Sequence, residues 1–212
     1  MASFGINEAE QYGGQGGGGY FSLKNDKDTA RVRFLYTSAD DITGYSVHEV
    51  KHNGKKRYVN CLRKYGDPLD MCPMCASGSP VRAKYFVPLY NTETEQTVVW
   101  ERGKEFGKKL ASLCARYPNL VSHEFEIERN GQAGSKDTRY EVYEVGHDND
   151  VTIDDFEVEN PIGGLILDKD VDEMNVYIET GAFPDVNDGG SQPLPRRGER
   201  RTPNGEGRRQ VF

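Results

Sequence analysis

The sequence predicts a mainly β fold: a small barrel of short strands, one main helix, and a cysteine-rich subdomain set into it. Three features carry that expectation. Short segments between residues 30 and 145 alternate apolar and polar side chains, with turn residues between them. A single stretch, after residue 103, has the spacing of a long amphipathic helix. Three of the four cysteines fall within Cys61–Cys75.

In chain order, QYGGQGGGG at 11–19 reads as a flexible linker. ARVRFLY at 30–36 reads as a strand that places Arg31 and Arg33 on one face. Tyr45–Val50 and Lys55–Leu62 are the arms of a hairpin. Asn53-Gly54 between them suits a two-residue turn, because both residues accept positive φ. AKYFVPLY at 83–90 is a strand whose Pro88, lacking an N–H, predicts an edge or a bulge. TVVWER at 97–102 is its hairpin partner. Phe106, Leu110, Leu113, Cys114 and Tyr117 recur at helical spacing, and Pro118 ends that helix. His123–Glu128 and Arg139–Val145 are two further strands. Ile162–Leu167 is a strand candidate. Beyond it, Asp170 reads as an N-cap with Glu173 three residues on; Val171, Met174 and Ile178 share a face, and Gly181 is the stop.

Only 35% of the 212 residues are hydrophobic and 29% are charged, too little apolar material for the whole chain to be core. The expected division is a flexible Gly-rich arm over 1–20 and a core over 21–146. That core includes a metal subdomain at about 44–80. An acidic, partly ordered segment follows over 147–189, then a basic disordered tail over 190–212. The net charge of −7 hides this asymmetry: residues 44–118 carry +6, residues 147–189 carry −12, and residues 190–212 carry +4. A basic centre beside an acidic segment suits a body that binds polyanions and a segment that competes with them. No apolar run approaches the roughly 18 residues of a membrane span. The start, MASFGINEAE, has no basic or apolar signal region, so the expected location is the cytoplasm. There cysteines are thiols or metal ligands rather than disulfides.

His48, Cys61, Cys72 and Cys75 have the order and spacing of a tetrahedral metal site. Cys72-Pro73-Met74-Cys75 holds two thiolates close together, and the hairpin brings His48 near Cys61. Three thiolates and one imidazole favour Zn2+, one per chain, and four protein ligands make it structural. His52 is the alternative imidazole. A Cys72–Cys75 redox pair is the alternative chemistry, although no βαβ pattern surrounds it. Cys114 reads as a buried thiol on the helix.

Around these ligands cations alternate with rings: Lys55, Lys56, Arg57 and Tyr58; Arg63, Lys64 and Tyr65; Arg82, Lys84, Tyr85 and Phe86; Trp100, Arg102 and Lys104. Lys108 and Lys109 add charge on the polar side of the helix. Cations track phosphates and rings stack on unpaired bases, so the set predicts single-stranded nucleic-acid binding. Taken singly, each tyrosine fits a half-buried strand position equally well. No phosphate loop, nucleophile triad or carboxylate cluster is recognisable, so no enzymatic activity is expected. The competing class is a zinc-ribbon adaptor that recruits replication or transcription proteins.

The ligand order His48, Cys61, Cys72, Cys75 resembles that of the single-stranded-DNA-binding, helix-destabilising replication proteins of tailed phages, of the T-even gene-32 type. So do the run VVWERGKEFGKKL (Val98 to Leu110) and the strand pair EFEIERNG and TRYEVYEV. The likeness spans roughly residues 20–146. It implies an OB-type barrel with a zinc subdomain packed beside it and a DNA cleft between them, lined by the cations and rings named above. It also implies cooperative coating of single strands in replication, recombination and repair, in the host cytoplasm. Replication and recombination proteins would dock through residues 147–212. Two departures stand out. The gap from Cys61 to Cys72 is one residue longer than the T-even pattern. The charges at the ends are also reversed: residues 1–20 hold no Lys or Arg, and PRRGERRTPNGEGRRQVF is basic.

Overall fold

The computed structural model describes residues 19–135 and 137–184. Most of the expected N-terminal arm and all of the expected basic tail lie outside the described residues. Eight strands join one mixed sheet: β1 (Thr29–Phe34), β2 (Gly44–His52), β3 (Lys55–Asn60), β4 (Val81–Asn91), β5 (Gln96–Gly103), β6 (His123–Asn130), β7 (Arg139–His147) and β8 (Ile166–Leu167). Three α-helices accompany them: α1 (Pro73–Ala76), α2 (Phe106–Arg116) and α3 (Val171–Thr180).

The strand order is β7-β6-β1-β4-β2-β3-β8, with β5 pairing β4 off that path. β4 organises the whole. Along one edge it takes β2 against Val81–Tyr85 and β1 against Leu89–Asn91. β5 runs beside it from Lys84 to Asn91. Pro88 therefore lies in a central strand, not at an edge. Its carbonyl accepts from Leu35 N at 3.1 Å, and the N and O of one strand residue face the same way. The missing N–H thus points into the gap where β4 passes from β2 to β1, and no ladder bond is lost.

The expected barrel does not close. β5 and β7 share no hydrogen-bonded pairing among the described residues. Side chains occupy the seam instead. The Tyr140 ring of β7 stands edge-on to Trp100 of β5 at 5.1 Å, and Arg102 lies 4.4 Å over Tyr140. From α2, Lys109 Nζ donates to Tyr140 O and sits 3.8 Å from Glu141.

Alternation along the strands separates two faces of the sheet. Val32, Phe34, Val87, Leu89, Trp100, Phe125 and Ile127 point inward with Leu110 of α2 and form the main core. The opposite face of β2, β3, β4 and β8 carries a smaller cluster of Val47, Tyr58, Phe86 and Ile166. α2 can lie close to β4 only because residue 107 is glycine. A Cβ there would collide with the Tyr85 ring and hydroxyl. Gly107→Ala is expected to destabilise the fold by about 1–3 kcal/mol through this overpacking, measurable by urea denaturation.

The acidic segment is ordered as far as Pro184. After a 3-10 turn at Ile153–Asp155, the chain crosses the outer face of the sheet and enters β8, which runs parallel to β3 through Tyr58↔Ile166 and Val59↔Leu167. α3 starts at Asp170, which forms a capping box with Glu173, and stops at Gly181 with φ 77°. Its packed face is Met174 with Tyr177. Val171 and Ile178, expected on that face, are 48% and 41% exposed.

Candidate metal centre and nucleic-acid interface

The β2–β3 hairpin turns at Asn53 and Gly54, both at positive φ as their residue types allow. His48 pairs with Val59, and Cys61 N extends the hairpin by donating to Ser46 O at 2.9 Å. That extension sets Cys61 beside His48. The other two ligands come from a tight knuckle. Pro73 opens α1, where a missing N–H costs nothing, and Ala76 N and Ser77 N close the turn onto Cys72 O and Pro73 O.

The four ligand atoms lie within 4.8 Å of one another. His48 Nε2 is 3.6 Å from both Cys72 Sγ and Cys75 Sγ, and Cys61 Sγ is 3.6 Å from Cys75 Sγ. A tetrahedral ion with metal–sulfur bonds of about 2.3 Å holds its sulfurs about 3.8 Å apart, so this cluster fits one with little adjustment. The cysteines form no disulfide. His48 Nδ1 lies 3.2 Å from Ser79 Oγ; with the proton on Nδ1 donated there, Nε2 is free to face the sulfurs. Burial lowers the His48 pKa, which favours the neutral form a metal needs. Burial pushes the Cys61 thiol up to about 12. Burial also opposes ionisation of Cys72, but backbone N–H groups of Cys75, Leu62 and Met74 outweigh it and hold that thiol low. The cluster can hold a metal ion and is compatible with structural zinc. It leaves no protein-free position for chemistry.

His52, the alternative imidazole, lies at the hairpin tip against the Phe183 ring at 5.9 Å and outside the cluster. Cys114 is half-buried on α2 against the main core, as expected.

The cationic and aromatic residues part into three groups. Lys55, Lys56, Arg82, Lys104 and Lys108 are exposed, as is Arg31 on β1. Tyr65, beside half-buried Arg63, has its ring wholly in solvent at 107% exposure. A second group is engaged within the fold. Lys56 and Arg82 flank Glu49 at 2.9 and 4.0 Å, and Lys84 meets Glu101 at 2.5 Å. Arg57 donates to Gly164 O, and Arg33 donates to Val121 O and Ser122 O. The third group is core and corrects the sequence reading. Trp100 is 2% exposed, ringed by Phe21, Phe106 and Tyr140. Arg102 is caged by Trp100, Phe106 and Tyr140, and Tyr85 packs against α2. Tyr58 is 4% exposed, with its hydroxyl donating to Glu101 Oε1 at 2.7 Å. A strand's alternation places Trp100 inward, and a basic neighbour such as Arg102 does not bring it out.

Two residues missed in the sequence belong to the site. Tyr20, half exposed, bridges to Val99 as a short extra strand on β5. With Lys56, Arg57, Tyr58 and Glu101 it lines a pocket of about 360 Å³ between the metal hairpin and β5. From there cations continue through Lys84, which pairs in register with Gly103, to Lys104 and α2. The signal for Tyr20 was its position at the end of the glycine run.

No family model matches the chain, and no curated protein sequence matches it significantly. Among the described residues no helix is long and apolar enough to cross a membrane.

Proposed function

We propose that this protein binds single-stranded DNA with little sequence preference, as a replication, recombination and repair factor of the helix-destabilising phage type, and has no enzymatic activity. One observation carries the reading: Tyr20, Lys56, Arg57 and Tyr58 converge on one pocket where the metal hairpin meets β5. Cations and an accessible ring side by side are the combination an unpaired strand uses. In this reading the ion held by His48, Cys61, Cys72 and Cys75 is Zn2+. Its role is to fix the hairpin that presents Lys55, Lys56 and Arg57. The curled set β5-β4-β1-β6-β7 serves as an OB-type barrel left open between β5 and β7, with α2 in the gap.

Titration of labelled oligo(dT) at several salt concentrations tests this. The log–log slope should fall by about 0.7 per phosphate neutralised. Tyr20→Ala and Tyr65→Ala should each weaken binding by about 1–3 kcal/mol. A flat salt response, or equal affinity for duplex and single strands, would overturn the proposal. The adaptor reading has one observation in its favour. Tyr65, Leu69 and Met71 on the metal subdomain are 107%, 60% and 58% exposed, an apolar patch a protein could cover. Unchanged DNA affinity in a Tyr20→Ala/Tyr65→Ala double variant would favour it.

A further inference from the structure

Where the acidic segment crosses the outer face of the sheet, it leaves a groove of about 630 Å³. Its floor is aromatic and apolar, with Tyr36, Tyr45, Phe86 and Pro88. Its rim carries the carboxylates of Glu157 and Glu159. Both are exposed, and neither has an ion pair among the described residues. Rings beside unpaired carboxylates are a poor surface for DNA, whose phosphates the acids repel. They suit a segment that offers prolines to the rings and arginines to the acids.

The chain itself contains such a segment. Residues 193–197 read Pro-Leu-Pro-Arg-Arg, followed by Arg200, Arg201 and Pro203. Six arginines against two glutamates give residues 190–212 a charge of +4. The described chain ends at Pro184, and the nine residues from there to Pro193 span up to about 30 Å. A tether that short supplies the segment at an effective concentration on the order of millimolar, so a modest intrinsic affinity suffices.

We propose that the groove between the sheet and residues 153–161 is the docking site of the chain's own Pro-Leu-Pro-Arg-Arg segment. Pro193 and Pro195 pack on the Tyr36, Tyr45 and Phe86 floor, and Arg196 and Arg197 meet Glu157 and Glu159. The docked segment neutralises part of the acidic stretch, and its arginines are withheld from other polyanions.

The test uses the full-length chain and a variant of it with Arg196, Arg197, Arg200 and Arg201 all changed to serine. A labelled peptide of residues 190–206 is titrated into each, with anisotropy as the readout. The variant should bind the peptide, and the native chain should bind it at least about tenfold more weakly because its own segment holds the site. Adding Glu157→Gln and Glu159→Gln to the variant should remove most of the binding. A peptide with Pro193→Ser and Pro195→Ser should bind several-fold more weakly. Equal peptide binding by native chain and variant, or none by either, would overturn the proposal. Binding indifferent to the prolines would reduce the contact to diffuse charge attraction and overturn the groove assignment. A concentration-dependent dimer of the native chain, lost in the arginine variant, would place the segment in a neighbouring copy and overturn the intramolecular assignment.

Discussion

Removing the metal, by chelation or by Cys72→Ser, will release α3 as well as the ion. The four ligands sit in a cluster whose apolar wall is Val50, Val59, Met74, Leu167, Met174 and Phe183, so half of that wall comes from the acidic segment. Asn60 Nδ2 donates to Lys169 O at 3.1 Å, and Lys169 N donates to Asn60 Oδ1 at 2.8 Å. Tyr177 Oη is hydrogen-bonded to the backbone N and O of Lys51. These bonds tie β8 and α3 to the hairpin that the ligands hold. Structural zinc contributes about 10–16 kcal/mol of binding free energy, comparable with the whole stability of a domain, so the hairpin should not keep its geometry without the ion. The main core shares no residue with this cluster and should persist. Elemental analysis should find one zinc per native chain and none in the variant. Hydrogen exchange should then show lost protection over residues 166–180 with β1 and β6 still protected. Full protection of α3 after verified metal loss would refute the coupling.

Trp100→Ala should cost about 3–5 kcal/mol of stability and leave DNA affinity nearly unchanged in the folded protein. The indole is the largest fully buried side chain of the main core. Phe21, Phe106 and Tyr140 surround it at 5.5, 4.8 and 5.1 Å, all edge-on, and Arg102 lies 4.8 Å over its ring. Truncation leaves a cavity at the seam between β5 and β7, where no strand pairing compensates. Urea denaturation combined with oligo(dT) titration below the transition separates the two effects. Near-native stability with a tenfold or greater loss of affinity would return Trp100 to the binding surface.

The metal ligands were legible because their signal is local. A Cys-Pro-Met-Cys knuckle and an Asn-Gly turn each dictate geometry within a few residues, and together they bring His48 to Cys61. α2, β6 and β7 were legible because their apolar period is unbroken. α3 was legible at its ends, through the capping residues Asp170 and Glu173 and the stop at Gly181. Its packed face was not. Met174 and Tyr177 are chosen by contact with the metal cluster, and nothing nearby in the sequence encodes that partner. Pro88 misled for a related reason. Its tolerance depends on where β4 exchanges β2 for β1, which is long-range topology. The same limit separated Tyr20 from Trp100. Both are rings near cations, and only the sheet decides which one reaches solvent. The open seam was invisible because strand count does not reveal whether the last strands pair or leave their place to side chains.

The parallel pairing of β3 with β8 also sets an order of assembly. All four ligands are present once Cys75 has been synthesised, but Leu167, Met174 and Phe183 follow only near the end of the chain. Contacts so distant in sequence form late, after the loop between them has been closed. The knuckle and hairpin can therefore take up their ion while that side of the cluster is still open to water. α3 then seals a site already loaded, so reloading a mature, metal-stripped chain should be fastest under conditions that first loosen its C-terminal helix.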